Sequence, residues 1–241
     1  MSRSLLAFPV LAGMTDDDTK RFANEFMARP REYEASRRGA NITLERTYLQ
    51  KTPMGSFVVT YMESNLDAAV SLGLTAESGL AMDDFFARAL RDVHGIDVAQ
   101  ASQGSLPETV AVWTNEHVTS RGKGLAFVAP LIPDAADKAR TVLAQEFTWK
   151  EFGQSRRASD QHLEVASVLA TPQGSMGAFY LEGADPMDAI QRFTLSTRPY
   201  DVRFKKLLAK LFLPIADVSQ ALADVEQIFD SAELTDLTTS T

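Results

Sequence analysis

The chain has 241 residues, a formal net charge of −8 and no cysteine. Disulfides, thiolate nucleophiles and cysteine-ligated metals are therefore excluded, and the acidic balance argues against a nucleic-acid surface, which needs a basic patch. A composition of 45% hydrophobic and 23% charged residues suits a globular protein with a real core, and a chain without cysteine is expected in the cytoplasm.

The first apolar run, residues 5–12, predicts a strand. It is too short for a membrane span, and its Leu6-Ala-Phe8 returns inside the chain as Leu125-Ala-Phe127, which argues against a leader. Thr15 predicts a helix cap, with Asp16, Asp17 and Asp18 set against the positive end of the helix dipole. Phe22, Phe26 and Met27 follow at helical spacing. Pro30 predicts a break or kink, with helix resuming from Arg31 to Arg38. Residues 42–51 and 56–63 are rich in β-branched and aromatic types and flank Thr52-Pro-Met-Gly55, which predicts a hairpin. Helices are expected near 66–77 and 80–93, the second ended by His94-Gly95. A polar stretch from Ala99 to Leu106 precedes a strand over 109–114.

After a linker at 116–123 the same order begins again: strand 124–132, one long helix 134–159, hairpin strands 162–170 and 175–182, helices 186–196 and 199–213, and a closing strand 225–229. The tail from Leu234 to Thr241 is expected to fray. This is an internal duplication. Thr52-Pro-Met-Gly-Ser-Phe-Val-Val-Thr-Tyr-Met-Glu63 recurs as Thr171-Pro-Gln-Gly-Ser-Met-Gly-Ala-Phe-Tyr-Leu-Glu182, and a shift of 119 matches 17 of 58 positions without a gap. Looser matches continue through Phe85/Phe204 and Asp97-Val98/Asp217-Val218. The expected organisation is a first repeat over 1–115, the linker, and a second repeat over 124–241. Each is a βαββααβ unit. One sheet with helices on one face leaves its other face uncovered, so the two antiparallel sheets should pair into an α+β barrel within the chain.

Leu49-Gln-Lys-Thr-Pro-Met-Gly55 with Tyr61-Met-Glu63, then Phe85-Phe86 and His94-Gly-Ile-Asp97, resembles the dimeric α/β-barrel superfamily of ferredoxin-like units, here fused in tandem. More closely it resembles an uncharacterised bacterial group. The resemblance implies the barrel fold. It implies no single activity, because the superfamily holds cofactor-independent monooxygenases, haem enzymes, isomerases and proteins of no known activity.

Tyr61 and Glu63 lie two apart on one strand and share a face, as do Tyr180 and Glu182, so each phenol can work beside a carboxylate. Arg37, Arg38, Arg156 and Arg157 can clamp an anion, or can pair with Glu63 and Glu182 or with Glu45 and Glu164. His94 is a candidate haem ligand by resemblance, and by position a helix-end cap facing the dipole. Phe85, Phe86, Trp113 and Trp149 are candidates for lining an apolar cavity. No nucleotide-binding glycine loop, nucleophile elbow or clustered metal ligands occur, so no cofactor or metal is expected.

The leading expectation is a small-molecule pocket between each sheet and its helices, bordered by Tyr61, Glu63 and Arg37 or Arg38, possessing chemistry like that of a cofactor-independent monooxygenase. The alternative is a non-catalytic binding or stress-related protein whose repeated polar groups are structural, with a haem protein third. Expected partners are a small molecule only, without nucleic acid or membrane. The chain is expected to be a pseudo-twofold monomer or a weak homodimer.

Overall fold

Two hairpins form the centre of the molecule. In the first, β2 (Ile42–Thr52) and β3 (Gly55–Ser64) are joined by a turn in which Gly55 adopts φ 113°. Thr52 Oγ1 accepts from the Met54 amide at 3.1 Å and donates to the Gly55 carbonyl at 2.7 Å. The second hairpin, β6 (Gln161–Thr171) and β7 (Gly174–Gly183), has Gly174 at φ 125° and the same threonine-to-glycine bond at 2.8 Å. The computed structural model describes residues 1–103, 106–171, 174–214 and 222–234, with the side chains of 102 and 103 left out. The Pro172 turn residue, the Asp217-Val218 match and the tail beyond Leu234 lie outside the described residues.

β1 (Ser2–Pro9) runs antiparallel to β3, and β5 (Lys123–Pro130) antiparallel to β7. The fourth strands cross over. β4 (Glu108–Thr114), which ends the first repeat, pairs with β6 of the second, whereas β8 (Val225–Asp230), which ends the second, pairs with β2 of the first. The sheets are thus ordered β1-β3-β2-β8 and β4-β6-β7-β5. Expecting each unit to complete its own sheet was incorrect, because an edge strand binds by backbone groups that either hairpin offers equally. The repeats are units of sequence; the sheets are composites.

The two sheets face each other. Tyr48, Phe57, Val59 and Tyr61 of one meet Val165, Met176, Ala178 and Tyr180 of the other in one buried cluster. The opposite face of each sheet carries the helices: α1 (Asp16–Ala28), α2 (Pro30–Gly39), α3 (Ala68–Glu77), α4 (Ala81–His94) and α5 (Val98–Gln103) in the first repeat. The second has α6 (Ala136–Glu146), α7 (Lys150–Arg157), α8 (Pro186–Leu195) and α9 (Pro199–Leu208). This is the expected fold, a tandem ferredoxin-like α+β barrel. Among the described residues no helix is long and apolar enough to cross a membrane.

Several local expectations are revised. The first strand covers 2–9, because Leu5 is the inward partner of Tyr61. By strand pairing Ala126 is the partner of Tyr180, so Leu5 corresponds to Ala126 and the matching Leu-Ala-Phe triplets are displaced by two residues. The helix expected over 134–159 is two helices, α6 and α7, although Trp149 stands where the first repeat has Pro30. The break stacks Phe147 on Phe152 at 4.2 Å, so packing imposes what proline imposes in the first copy. The polar stretch after Asp97 begins with α5, capped by Asp97 Oδ1 accepting from the Ala99 amide at 2.9 Å.

Candidate functional site

The two Tyr-x-Glu pairs meet. Both lie on inward-facing alternates of β3 and β7, and the Tyr61 and Tyr180 rings stack with centroids 3.8 Å apart and planes within 3°. Tyr61 donates to Glu63 Oε1 at 2.6 Å and Tyr180 to Glu182 Oε2 at 2.8 Å. Arg46 Nη1 donates to the Tyr180 hydroxyl at 2.8 Å, to Glu182 Oε2 at 3.0 Å and to the Gly122 carbonyl at 3.0 Å, while its Nε sits 2.9 Å from Asp230 Oδ2. Arg121 forks onto both oxygens of Glu63, and the Gly122 amide donates to Glu182 Oε1 at 3.1 Å.

Each carboxylate is thereby held by the linker. Burial alone would raise the Glu63 carboxyl, but hydrogen bonds from Arg121 and Tyr61 hold it below its ordinary value. Burial and the Glu63 charge push the Tyr61 phenol far above the usual range, so it remains a donor. Space is tight as well: a Cβ on Gly124 would come within 2.8 Å of the Tyr180 hydroxyl. Chemically, this cluster is a buried ion-pair lock between the halves.

The arginines divide differently. Arg37 Nε lies 2.7 Å from Glu45 Oε2, and Arg156 Nε donates to Glu164 Oε2 at 2.5 Å, so helix is tied to sheet in both repeats and neither arginine reaches Glu63 or Glu182. Arg38 is exposed and pairs with Glu34 at 2.6 Å on its own helix; Arg157 is exposed too. Ser36 donates to Asp83 and Ser155 to Asp201, the latter at 2.6 Å, which sets Asp83 against Asp201. Phe86, rather than Phe85, then corresponds to Phe204.

Between the first sheet and α1, α2, α4 and α5 lies a cavity of about 100 Å³. Its walls are mostly apolar, among them Leu6, Phe26, Val58, Leu72 and Phe86, and its polar lining includes Arg37, Glu45, Tyr33, Thr47, Thr60 and His94. Of the candidates read from the sequence, the cavity thus gathers Arg37, His94 and Phe86; Tyr61 and Glu63 face the opposite side of their strand. Trp113 packs edge-on to Phe152 in the second repeat, and Trp149 is exposed beneath Arg203.

The second repeat fills the matching space. Phe179 stands where Thr60 stands, packed on Phe127 at 5.5 Å and Phe212 at 5.6 Å. Gly177, the counterpart of Val58, leaves the room: a Cβ there would come within 2.6 Å of the Phe212 ring. Phe152 and Ala166 replace Tyr33 and Thr47, and the aromatic residues form one continuous cluster. The Thr60/Phe179 difference is legible in the sequence once the two copies are laid side by side, as a departure from the repeat rather than as one of its identities.

His94 ends α4, but Gly95, at φ 69°, makes the cap through its amide to Arg91 and Leu90. The imidazole instead places Nδ1 2.9 Å from the Pro9 carbonyl. A carbonyl can only accept, so Nδ1 carries the hydrogen and Nε2 holds the lone pair. Burial pushes this imidazole down to about 4, with the Pro9 contact acting weakly the other way, so it is neutral at pH 7 and is no cationic dipole cap. Between pH 6.5 and 4 the unfolded chain binds a proton that the folded chain does not, so His94 makes stability rise with pH over that window. Acidification across it is expected to cost up to about 3 kcal/mol. Urea unfolding of the parent and of His94→Gln at pH 7 and pH 4.5 checks this: the variant should lose much of the difference. Glu63, held below its ordinary value, loses its contribution only at lower pH.

No protein-family model matches the chain, and no curated protein matches it in sequence. Among solved structures it is similar to a candidate monooxygenase of Fusobacterium nucleatum subsp. nucleatum, with a TM-score of 0.50 at 10% identity over 88% of this chain and 87% of that one. An anthrone oxidase-like protein (TM-score 0.48, 9% identity, 88% of this chain and 86% of that one) and a candidate monooxygenase of Lactobacillus acidophilus (0.46, 10%, 96% and 95%) align less closely. The first likeness supports the α/β-barrel fold seen here. At such identity it shows the fold alone.

Proposed function

We propose that the first repeat binds a small, mostly apolar molecule in its sheet–helix cavity, and that the second repeat is a scaffold. The observation that carries this is the Thr60/Phe179 difference: one unit, folded twice in one chain, is open in one copy and filled in the other. A space of about 100 Å³ admits a single ring or a short chain and has no room for a tetrapyrrole, which disfavours the haem reading. Toluene is a suitable probe. It should raise the melting temperature of the parent protein at millimolar concentration. Thr60→Phe, which copies the second repeat, should fold with equal or greater stability and show no toluene-dependent shift. An equal shift in both proteins would remove the proposal.

The catalytic form of this reading rests on His94, a neutral imidazole with its lone pair on Nε2 in the wall of an apolar cavity. Burial makes it a weak base, so it would take a proton only from a strongly activated, acidic C–H; dioxygen would oxidise the carbanion, and the resulting hydroperoxide would lose water. The balance is SH2 + O2 to S=O + H2O, without a cofactor. The fold shared with the candidate monooxygenase is compatible with such chemistry and does not assign it. A purely binding protein would use the same cavity, and His94→Gln separates the two: binding kept with dioxygen uptake abolished means catalysis, and no uptake in the parent means binding alone.

A further inference from the structure

The two repeats treat the same arginine differently. In the second, Arg156 Nε and Nη2 donate to the two oxygens of Glu164 at 2.5 and 3.3 Å, and Nη1 reaches Ser155 Oγ at 3.4 Å. In the first, Tyr33 occupies the position of Phe152 and donates to Glu45 Oε2, the oxygen that Arg37 Nε also approaches. Burial and the Glu45 charge push the Tyr33 phenol well above its usual range, so it keeps the proton with which it competes.

Arg37 Nε, 2.7 Å from Glu45 Oε2, and Nη1, 3.6 Å from Asp83 Oδ1, keep these ion-pair contacts but have no acceptor in hydrogen-bonding geometry among the described residues. The residue is only 4% exposed, its guanidinium lies over the Tyr33 and Phe86 rings at 5.1 and 4.6 Å, and it lines the cavity. A buried cation whose Nη1 makes no hydrogen bond, beside an apolar space, is a ready partner for an acceptor oxygen. The charge of that oxygen is also constrained. Glu45 and Asp83 already flank Arg37, so a third negative group would meet a surplus of negative charge in a buried site.

We propose that the cavity takes a neutral molecule of about one ring that presents a carbonyl-type oxygen to Arg37. This rests on the cavity being a binding site, and adds the chemistry of the ligand's polar end. Tyr33 is then a specificity-determining residue: it donates to the same Glu45 oxygen that faces Arg37 Nε, and so leaves the guanidinium without the two-point hydrogen-bonded partner that Arg156 has.

Calorimetric titration with three probes of one size tests the assignment: cyclohexanone, its hydrocarbon isostere methylenecyclohexane, and cyclohexanecarboxylate. In the parent protein cyclohexanone should bind about tenfold more tightly than the isostere, and the carboxylate most weakly. Tyr33→Phe removes the competing donor to the Glu45 oxygen, as Phe152 does for Glu164, and should reduce the ratio of ketone to isostere affinity to near unity, whatever it does to the isostere's own affinity. Equal binding of ketone and isostere in the parent overturns the inference and leaves the cavity reading standing, as does a tightest-binding carboxylate. A preference that survives in Tyr33→Phe also overturns it. If neither neutral probe binds, the cavity reading fails and this inference falls with it.

Discussion

Arg46→Met is expected to lower stability by about 3–5 kcal/mol, the range for breaking a buried ion pair by removing one partner. The methionine keeps roughly the bulk of the stem but leaves Glu182 and Asp230 without the cation that sits between them, and it removes a donor to Tyr180. Burial disfavours the charged guanidinium, yet Tyr180, Asp230 and Glu182 together hold it above even its ordinary value. Denaturant titration at pH 7 reads the loss. Adding Glu182→Gln should cost less in the Arg46→Met background than in the parent, because the orphaned charge is then gone. A single-variant loss below about 1 kcal/mol would mean that the cluster holds nothing together.

A second large effect is expected on dividing the chain. Residues 1–120 alone would leave β4 without β6, β2 without β8, and the inward side chains of Tyr48, Phe57 and Tyr61 without the opposing sheet. Such a fragment should associate, through β4 exchange between two copies, or aggregate. Co-expression with residues 121–241 should restore a one-to-one complex. Size-exclusion chromatography and urea unfolding decide the matter. A monomeric 1–120 fragment with cooperative unfolding would show that the exchanged strands are dispensable.

The duplication, the hairpins and the barrel class were legible because they are written locally, in Thr-Pro-x-Gly turns and alternating apolar residues. The strand exchange was not, since β4 and β8 have the same pattern whichever hairpin they join. Tyr61 and Glu63 were correctly placed on one face. Which face that was could not be read, because β3 is buried on both sides and so carries no inside-versus-outside contrast. The arginine-to-glutamate ties were among the pairings considered, and the structure selects Glu45 and Glu164. A pocket between sheet and helices was expected in both repeats; that the first keeps it and the second fills it turns on a difference between the copies at Thr60, which their shared residues do not carry.

The exchanged strands also bear on the order in which the protein can be made. A ribosome delivers the chain from residue 1, and the sheet containing β4, β5, β6 and β7 has all of its strands once residue 183 has emerged. The sheet of the first repeat waits for β8, which ends at Asp230. The half synthesised first is therefore finished last, with β2 offering an unpaired edge through most of elongation. Its completion joins segments separated by about three-quarters of the chain, the kind of long-range closure that slows folding.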